Sequence, residues 1–95
     1  MMALEKLYVT RNQKTAMHVA EARGVIVLEA LEHGLAIAEY TPSEIKAGVT
    51  GFGAADKTAV AKMVRLTLRE PELRLIDDAM DALATAIMGA LTRIR

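Results

Sequence analysis

The order of apolar segments in the first half of the chain limits the possible folds more than any other feature. Two short apolar segments, residues 3–9 and 35–40, have the length of β-strands. Between them, small and apolar side chains recur at helical spacing from Gln13 to His33, directly after the good helix cap Asn12. Strands joined by a helix of this length are parallel, with a right-handed crossover. The sequence therefore predicts an α/β fold.

Three further helices are predicted after the second strand. The first begins with a capping residue, Thr41, followed by a proline and by Glu44, which completes a capping box. The three helices are predicted over residues 42–49, 57–69 and 78–94. The predicted elements are thus two parallel strands with about four helices. A sheet of two strands is too small to be stable without further cover. The sequence thus predicts an incomplete α/β domain over residues 1–95.

The composition narrows the classes of function. Hydrophobic residues make up 53% of only 95 residues, so either the helices pack tightly or some apolar surface is covered by a second copy or by more of the same fold. The chain has no cysteine, which excludes disulfides and thiolate zinc sites and suits the cytoplasm. No apolar run approaches the roughly 18 residues of a membrane span, and the start lacks a signal-peptide pattern. We expect no membrane partner.

The charge balance argues against a general polyanion-binding protein. Twelve basic and twelve acidic residues cancel, whereas a nucleic-acid-binding domain is usually basic. Aromatic residues are only 3%, which argues against a broad base-stacking platform. A local basic patch and an acidic metal site both remain compatible with this composition.

Acidic residues in two places are candidates for metal binding. Asp78 and Asp81 lie three positions apart, on one helix face, where like charges repel unless a cation lies between them. Mg²⁺ prefers such oxygen ligands. The alternative is helix capping, which fits Asp77 completely, Asp78 partly and Asp81 less well. Glu5 interrupts an apolar strand row, although, for this residue taken alone, a strand end in water is the better explanation. The residue types alone leave both interpretations open.

The glycine-rich residues 51–57 are a weaker candidate for phosphate binding. They lead into a helix N-terminus that carries Lys57, an arrangement that suits an anion. They lack the Gly-Lys-Ser/Thr ending of a P-loop, and an ordinary surface turn explains them better.

A series of short segments is more specific in its order than any segment is alone. The series comprises Glu5-Lys6-Leu7-Tyr8, Arg11-Asn12, Ala22-Arg23-Gly24-Val25, residues 39–46, residues 49–57, Met63-Val64-Arg65 and residues 78–84. In this order it resembles the RuvC-type Holliday junction resolvases, the crossover junction endodeoxyribonucleases. The resemblance covers essentially the whole chain.

This resemblance implies a ribonuclease H-like fold and a homodimeric nuclease. Such an enzyme nicks two opposed strands of four-way junction DNA with Mg²⁺, or with Mn²⁺ in its place, during recombination and repair. The resemblance assigns catalytic and metal-binding roles to Glu5, Asp78 and Asp81. It also implies that Lys57 acts in cleavage and DNA contact, and that Lys46 contacts DNA.

The resemblance further implies that Tyr8 stacks on junction bases and that Arg11 contacts DNA. A fourth acid of the family lies on the first strand, in a Gly-Ile-Asp-Pro-Gly-like segment that these 95 residues do not contain. Two-metal hydrolysis usually depends on a carboxylate that bridges the two ions. We therefore expect this chain, as the C-terminal part of the fold without the first strands, to cleave little DNA alone.

Alternative interpretations remain open at this point. The chain is a resolvase fragment, a non-catalytic DNA-binding or dimerisation module, or a purely structural fragment. In each case we expect a homodimer or higher oligomer, formed through the exposed edge of the first strand or through the helix from Gln13 to His33.

Overall fold

The computed structural model describes residues 1–6 and 13–93. Its elements, in chain order, are β1 (Met2–Glu5), α1 (Gln13–Glu32), β2 (Ile37–Tyr40), α2 (Pro42–Thr50), α3 (Lys57–Leu68) and α4 (Asp77–Arg93). This order confirms the predicted α/β fold with two strands and four helices among the described residues. The predicted first strand extended to residue 9, but residues 7–12 lie outside the described part of the chain.

The two strands form the parallel pair that the crossover pattern predicts. Met2 lies opposite Ile37, and Glu5 lies opposite Tyr40. The N–H of Met2 donates to the carbonyl of Ala36 at 2.7 Å, and the N–H of Lys6 donates to Tyr40 at 2.8 Å. Among the described residues the sheet contains β1 and β2 alone, so the other edge of β1 has no strand beside it there.

The predicted capping box begins α2. The N–H of Glu44 donates to Thr41 Oγ1 at 3.0 Å, and the N–H of Thr41 donates to Glu44 Oε1 at 2.8 Å. The hydrogen bond from the Thr41 N–H to the carboxylate lowers the pKa of Glu44, and the hydroxyl of Thr41 and the charge of Lys6 add to the effect. The helix ends at Gly51, which takes the left-handed conformation (φ 84°) that glycine adopts without strain.

The later helices differ from prediction by one residue at their ends. Asp56 caps α3, as expected, because its carboxylate accepts a hydrogen bond from the N–H of Ala59 at 2.8 Å. That helix ends at Leu68, and Arg69 is the left-handed cap (φ 57°). The last helix begins at Asp77, because the N–H of Met80 already donates to the carbonyl of Ile76 at 3.0 Å.

The hydrophobic core lies where α2, α3 and α4 meet beside the sheet. Its buried members are Tyr40, Ile45, Val49, Ala55, Val60, Val64, Met80 and Ala84. On α4, Gly89 lies so close to β1 that an added Cβ would be 2.8 Å from the Cβ of Ala3. This close approach holds β1 along α4 and directs the end of β1 towards the first turns of that helix.

Helix α1 packs mainly against β2 and leaves much apolar surface in water. Arg23 ties it to the sheet through an ion pair with Glu39 at 2.7 Å. The exposed apolar side chains along α1 are Met17, Val19, Val25, Ile26, Leu28 and Leu31. A helix that is apolar on several faces is usually covered on more than one side. No described helix is both long and apolar enough to cross a membrane.

Candidate functional site

The end of β1 and the start of α4 bring three acidic side chains to one groove. Glu5 is the last residue of β1, while Asp78 and Asp81 occupy the first two turns of α4. All three line a groove of about 330 Å³, together with Leu4 and other residues of these two elements. The structure therefore brings the three acids of the predicted metal site to one surface, although the chain separates Glu5 from Asp78 by most of its length.

Two lysines lie on an adjoining groove of about 430 Å³. Glu5 and Asp81 line both grooves, so the two form one continuous surface. Lys46 reaches the second groove from α2, and Lys57 reaches it from the first position of α3. The resulting surface combines carboxylates with ammonium groups, a combination that suits a phosphate diester together with a cation.

Lys57 is held at this surface by an acid that the sequence interpretation assigned only to helix capping. Its Nζ donates to Asp77 Oδ2 at 2.9 Å, with both side chains about three-quarters exposed (74% and 73%). The hydrogen bond and charge of Asp77 raise the pKa of Lys57, and the charges of Asp81 and Asp78 add to the effect. The ammonium group therefore stays charged at neutral pH and lies within the field of the acids.

Arg65 was part of the resemblance but had no predicted role. It lines the larger groove from α3, and its Nε donates to the carbonyl of Leu73 at 2.8 Å. This hydrogen bond fastens the segment between α3 and α4 beside the groove. Of the other predicted site residues, Tyr8 and Arg11 lie outside the described residues.

The three carboxylates line one groove, but they are not arranged as the ligands of a metal ion. All three are exposed, and none is hydrogen-bonded to another described residue. Within residues 1–6 and 13–93, no group of three or more acidic or histidine side chains is gathered closely enough to hold a metal ion. The oxygen donors are of the right chemical kind for a hard divalent cation, but their described arrangement does not fit a preformed ligand set.

The chain has a parallel strand pair with a long crossover helix, and it has acids at a strand end and on the last helix. This combination is that of a ribonuclease H-like α/β chain. The sequence model of one family, "Crossover junction endodeoxyribonuclease RuvC", matches residues 1–89. The chain therefore belongs to the RuvC family, whose members are metal-dependent nucleases.

Curated relatives and solved structures agree with this assignment. RuvC of Caldicellulosiruptor saccharolyticus is 46% identical over 90 residues, which cover 95% of this chain and 54% of the relative. RuvC of Moorella thermoacetica is 49% identical over 89 residues, covering 94% and 53%. The chain thus spans about half the length of the curated relatives it matches.

Two structures of Thermus thermophilus RuvC share the fold. One has a TM-score of 0.82 and 33% identity, covering 95% of this chain and 55% of the other. The second, in complex with a Holliday junction substrate, has a TM-score of 0.86 and 32% identity, covering 94% and 54%.

Proposed function

We propose that this chain forms the DNA-binding and metal-binding face of a Holliday junction resolvase. One observation supports the proposal most directly: Glu5, Asp78 and Asp81 line one groove, and Lys57 lines the groove that adjoins it. Lys46 and Lys57 bind phosphates of four-way junction DNA, and the similar fold of a RuvC in complex with a Holliday junction substrate supports this substrate. The absence of cysteines suits the reducing cytoplasm, the compartment that we propose for this role.

We further propose that the three acids bind one Mg²⁺ or Mn²⁺ ion weakly. Their side chains are exposed and must rotate towards a common point before they can share an ion, which costs conformational entropy. The 95 residues contain no counterpart of the family's first-strand aspartate. Because two-metal hydrolysis needs both ions correctly held, this chain alone binds junctions but cleaves them poorly.

A nicking assay on four-way junction DNA tests this division between binding and cleavage. In Mg²⁺ or Mn²⁺, the wild-type chain is expected to bind the junction and to cleave at least about 100-fold more slowly than a full-length RuvC relative. Asp81→Asn is expected to remove any residual cleavage while leaving binding in EDTA unchanged. Turnover at the rate of the full-length relative would contradict the proposed dependence on the fourth acid. Failure to bind any junction would contradict the DNA-binding role.

A second candidate function is a non-catalytic DNA-binding or dimerisation module. The observation that favours it is the lack of a gathered ligand set among the described residues. This function predicts junction binding that weakens with salt, because counterions are released from DNA, and that does not become tighter on addition of Mg²⁺. A steep salt dependence without any metal effect would favour this candidate over the nuclease.

We also propose that the chain is a homodimer or higher oligomer. Two described surfaces support self-association, the open edge of β1 and the apolar side chains of α1. Sedimentation equilibrium is expected to give at least a dimer, and Leu28→Lys, which places a charge on the exposed face of α1, to shift it towards monomer. A wild-type monomer at high concentration would contradict the proposal. A dimer that persists in Leu28→Lys would assign the interface to β1 instead.

A further inference from the structure

We infer that Phe52 stacks on an unpaired base of the DNA bound in the neighbouring groove. This inference rests on the proposed function, since it assumes that a DNA strand lies along Lys46 and Lys57. It adds a contact to the base side of that strand, where the lysines can reach only its phosphates. The residue lies in the connection between α2 and α3, which the sequence interpretation considered only as a phosphate loop or a surface turn.

The backbone of Phe52 is fixed, whereas its ring is free. The Phe52 N–H donates to Thr50 Oγ1 at 3.0 Å, and that hydroxyl donates to the carbonyl of Lys46 at 2.7 Å. The carbonyl of Phe52 accepts a hydrogen bond from the N–H of Ala55 at 3.1 Å. The side chain nevertheless is 64% exposed and is absent from the core cluster. The fold therefore presents an aromatic ring to solvent on a well-defined turn.

The turn connects two elements that line the groove. It joins the end of α2 to the start of α3, the two helices that bring Lys46 and Lys57 to the groove. It also folds back onto the start of α2, because the hydroxyl of Ser43 donates to the carbonyl of Gly53 at 3.4 Å. Pro42, beside Ser43, lines the same groove. The turn that carries the ring therefore packs against one end of an element that lines the lysine-bearing groove.

An aromatic ring beside two cations matches the chemistry of an unpaired nucleic-acid strand. Ammonium groups bind the phosphates, and the ring stacks on a base whatever its identity, because every base has a π-face. Bases inside a duplex are already stacked on their neighbours and are not available in this way. The inference therefore predicts a preference for branched or single-stranded DNA over duplex. One exposed ring is too small an apolar patch to support a protein interface by itself.

Fluorescence of a tryptophan variant tests the contact directly. The chain contains no tryptophan, so Phe52→Trp introduces a single reporter at this position. With four-way junction DNA in EDTA, its emission is expected to be quenched on binding, because an indole that stacks on a base loses fluorescence. A matched duplex at the same degree of saturation is expected to quench it less. Phe52→Trp is also expected to retain wild-type junction affinity.

A truncation variant measures the contribution to affinity. Phe52→Ala is expected to weaken junction binding about tenfold, and duplex binding much less. Leu66→Ala, a truncation at another exposed apolar position (61% exposed) outside the groove lining, is the matched control and is expected to bind normally. Circular dichroism of each variant confirms that the helices are retained.

The possible results separate the inference from the proposed function. If wild type binds junction DNA but Phe52→Ala binds equally well and Phe52→Trp is not quenched, the inferred stacking contact does not exist, while the proposed DNA-binding function is unaffected. If wild type binds no junction at all, both fail. Equal losses of junction and duplex affinity in Phe52→Ala would also overturn the assignment to an unpaired base.

Discussion

Junction affinity is expected to fall about 10- to 100-fold at 0.1 M salt when Lys46 and Lys57 are both replaced by alanine. Both side chains line the larger groove, from α2 and α3 respectively. Each phosphate contact releases counterions, so the slope of log K against log salt should become less steep by about 1.8 for two contacts on duplex arms. Fluorescence anisotropy with labelled junction DNA, repeated over a series of salt concentrations, measures both effects.

Two control variants make this result specific to the groove. Lys62→Ala removes one positive charge, as Lys46→Ala and Lys57→Ala each do, from an exposed position of α3 outside the groove lining, and it is expected to have much less effect than either single replacement. Asp77→Asn removes the acid that binds Lys57 at 2.9 Å, and it is expected to strengthen binding because the lysine is released to a phosphate. A loss of affinity in Lys62→Ala equal to that in Lys46→Ala or Lys57→Ala alone would show that only net charge matters.

The secondary structure could be predicted because its signals are local. The signals for the capping box of Thr41 and Glu44 and for the cap at Asp56 each lie within four consecutive residues, and the structure contains both caps. The parallel strand pair followed from the length of the helix between the strands. The end of α3 could not be predicted to the residue, because Arg69 adopts a left-handed conformation that its residue type does not favour.

The site could be predicted only in part, because its contacts join distant parts of the chain. The spacing of Asp78 and Asp81 placed them on one helix face, but only the family resemblance connected them to Glu5. The ion pair between Lys57 and Asp77 spans 20 residues, and no local pattern indicates it. Whether exposed carboxylates gather into a ligand set depends on side-chain rotation, which the sequence does not specify.

A divalent cation is expected to bind to the wild-type chain at a single weak site that Asp81→Asn largely removes. Asp81 lines both grooves and lies one helical turn from Asp78, so Asp81→Asn removes a negative charge and one carboxylate oxygen from the groove that Glu5 and Asp78 also line. Loss of a supporting outer-shell group alone typically costs 10- to 100-fold in metal affinity, so removal of a direct ligand should cost at least about tenfold. Glu5→Gln is expected to have a similar effect, because its oxygen comes from the other element.

Mn²⁺ titration followed by electron paramagnetic resonance measures this most directly, since free and bound ions are counted without any need for cleavage. We expect one bound ion per wild-type chain, at least about tenfold weaker binding in both Asp81→Asn and Glu5→Gln, and unchanged binding in the exposed control Glu72→Gln. Binding that is equal in all four proteins, or absent from the wild type, would contradict the shared metal site on which the account depends.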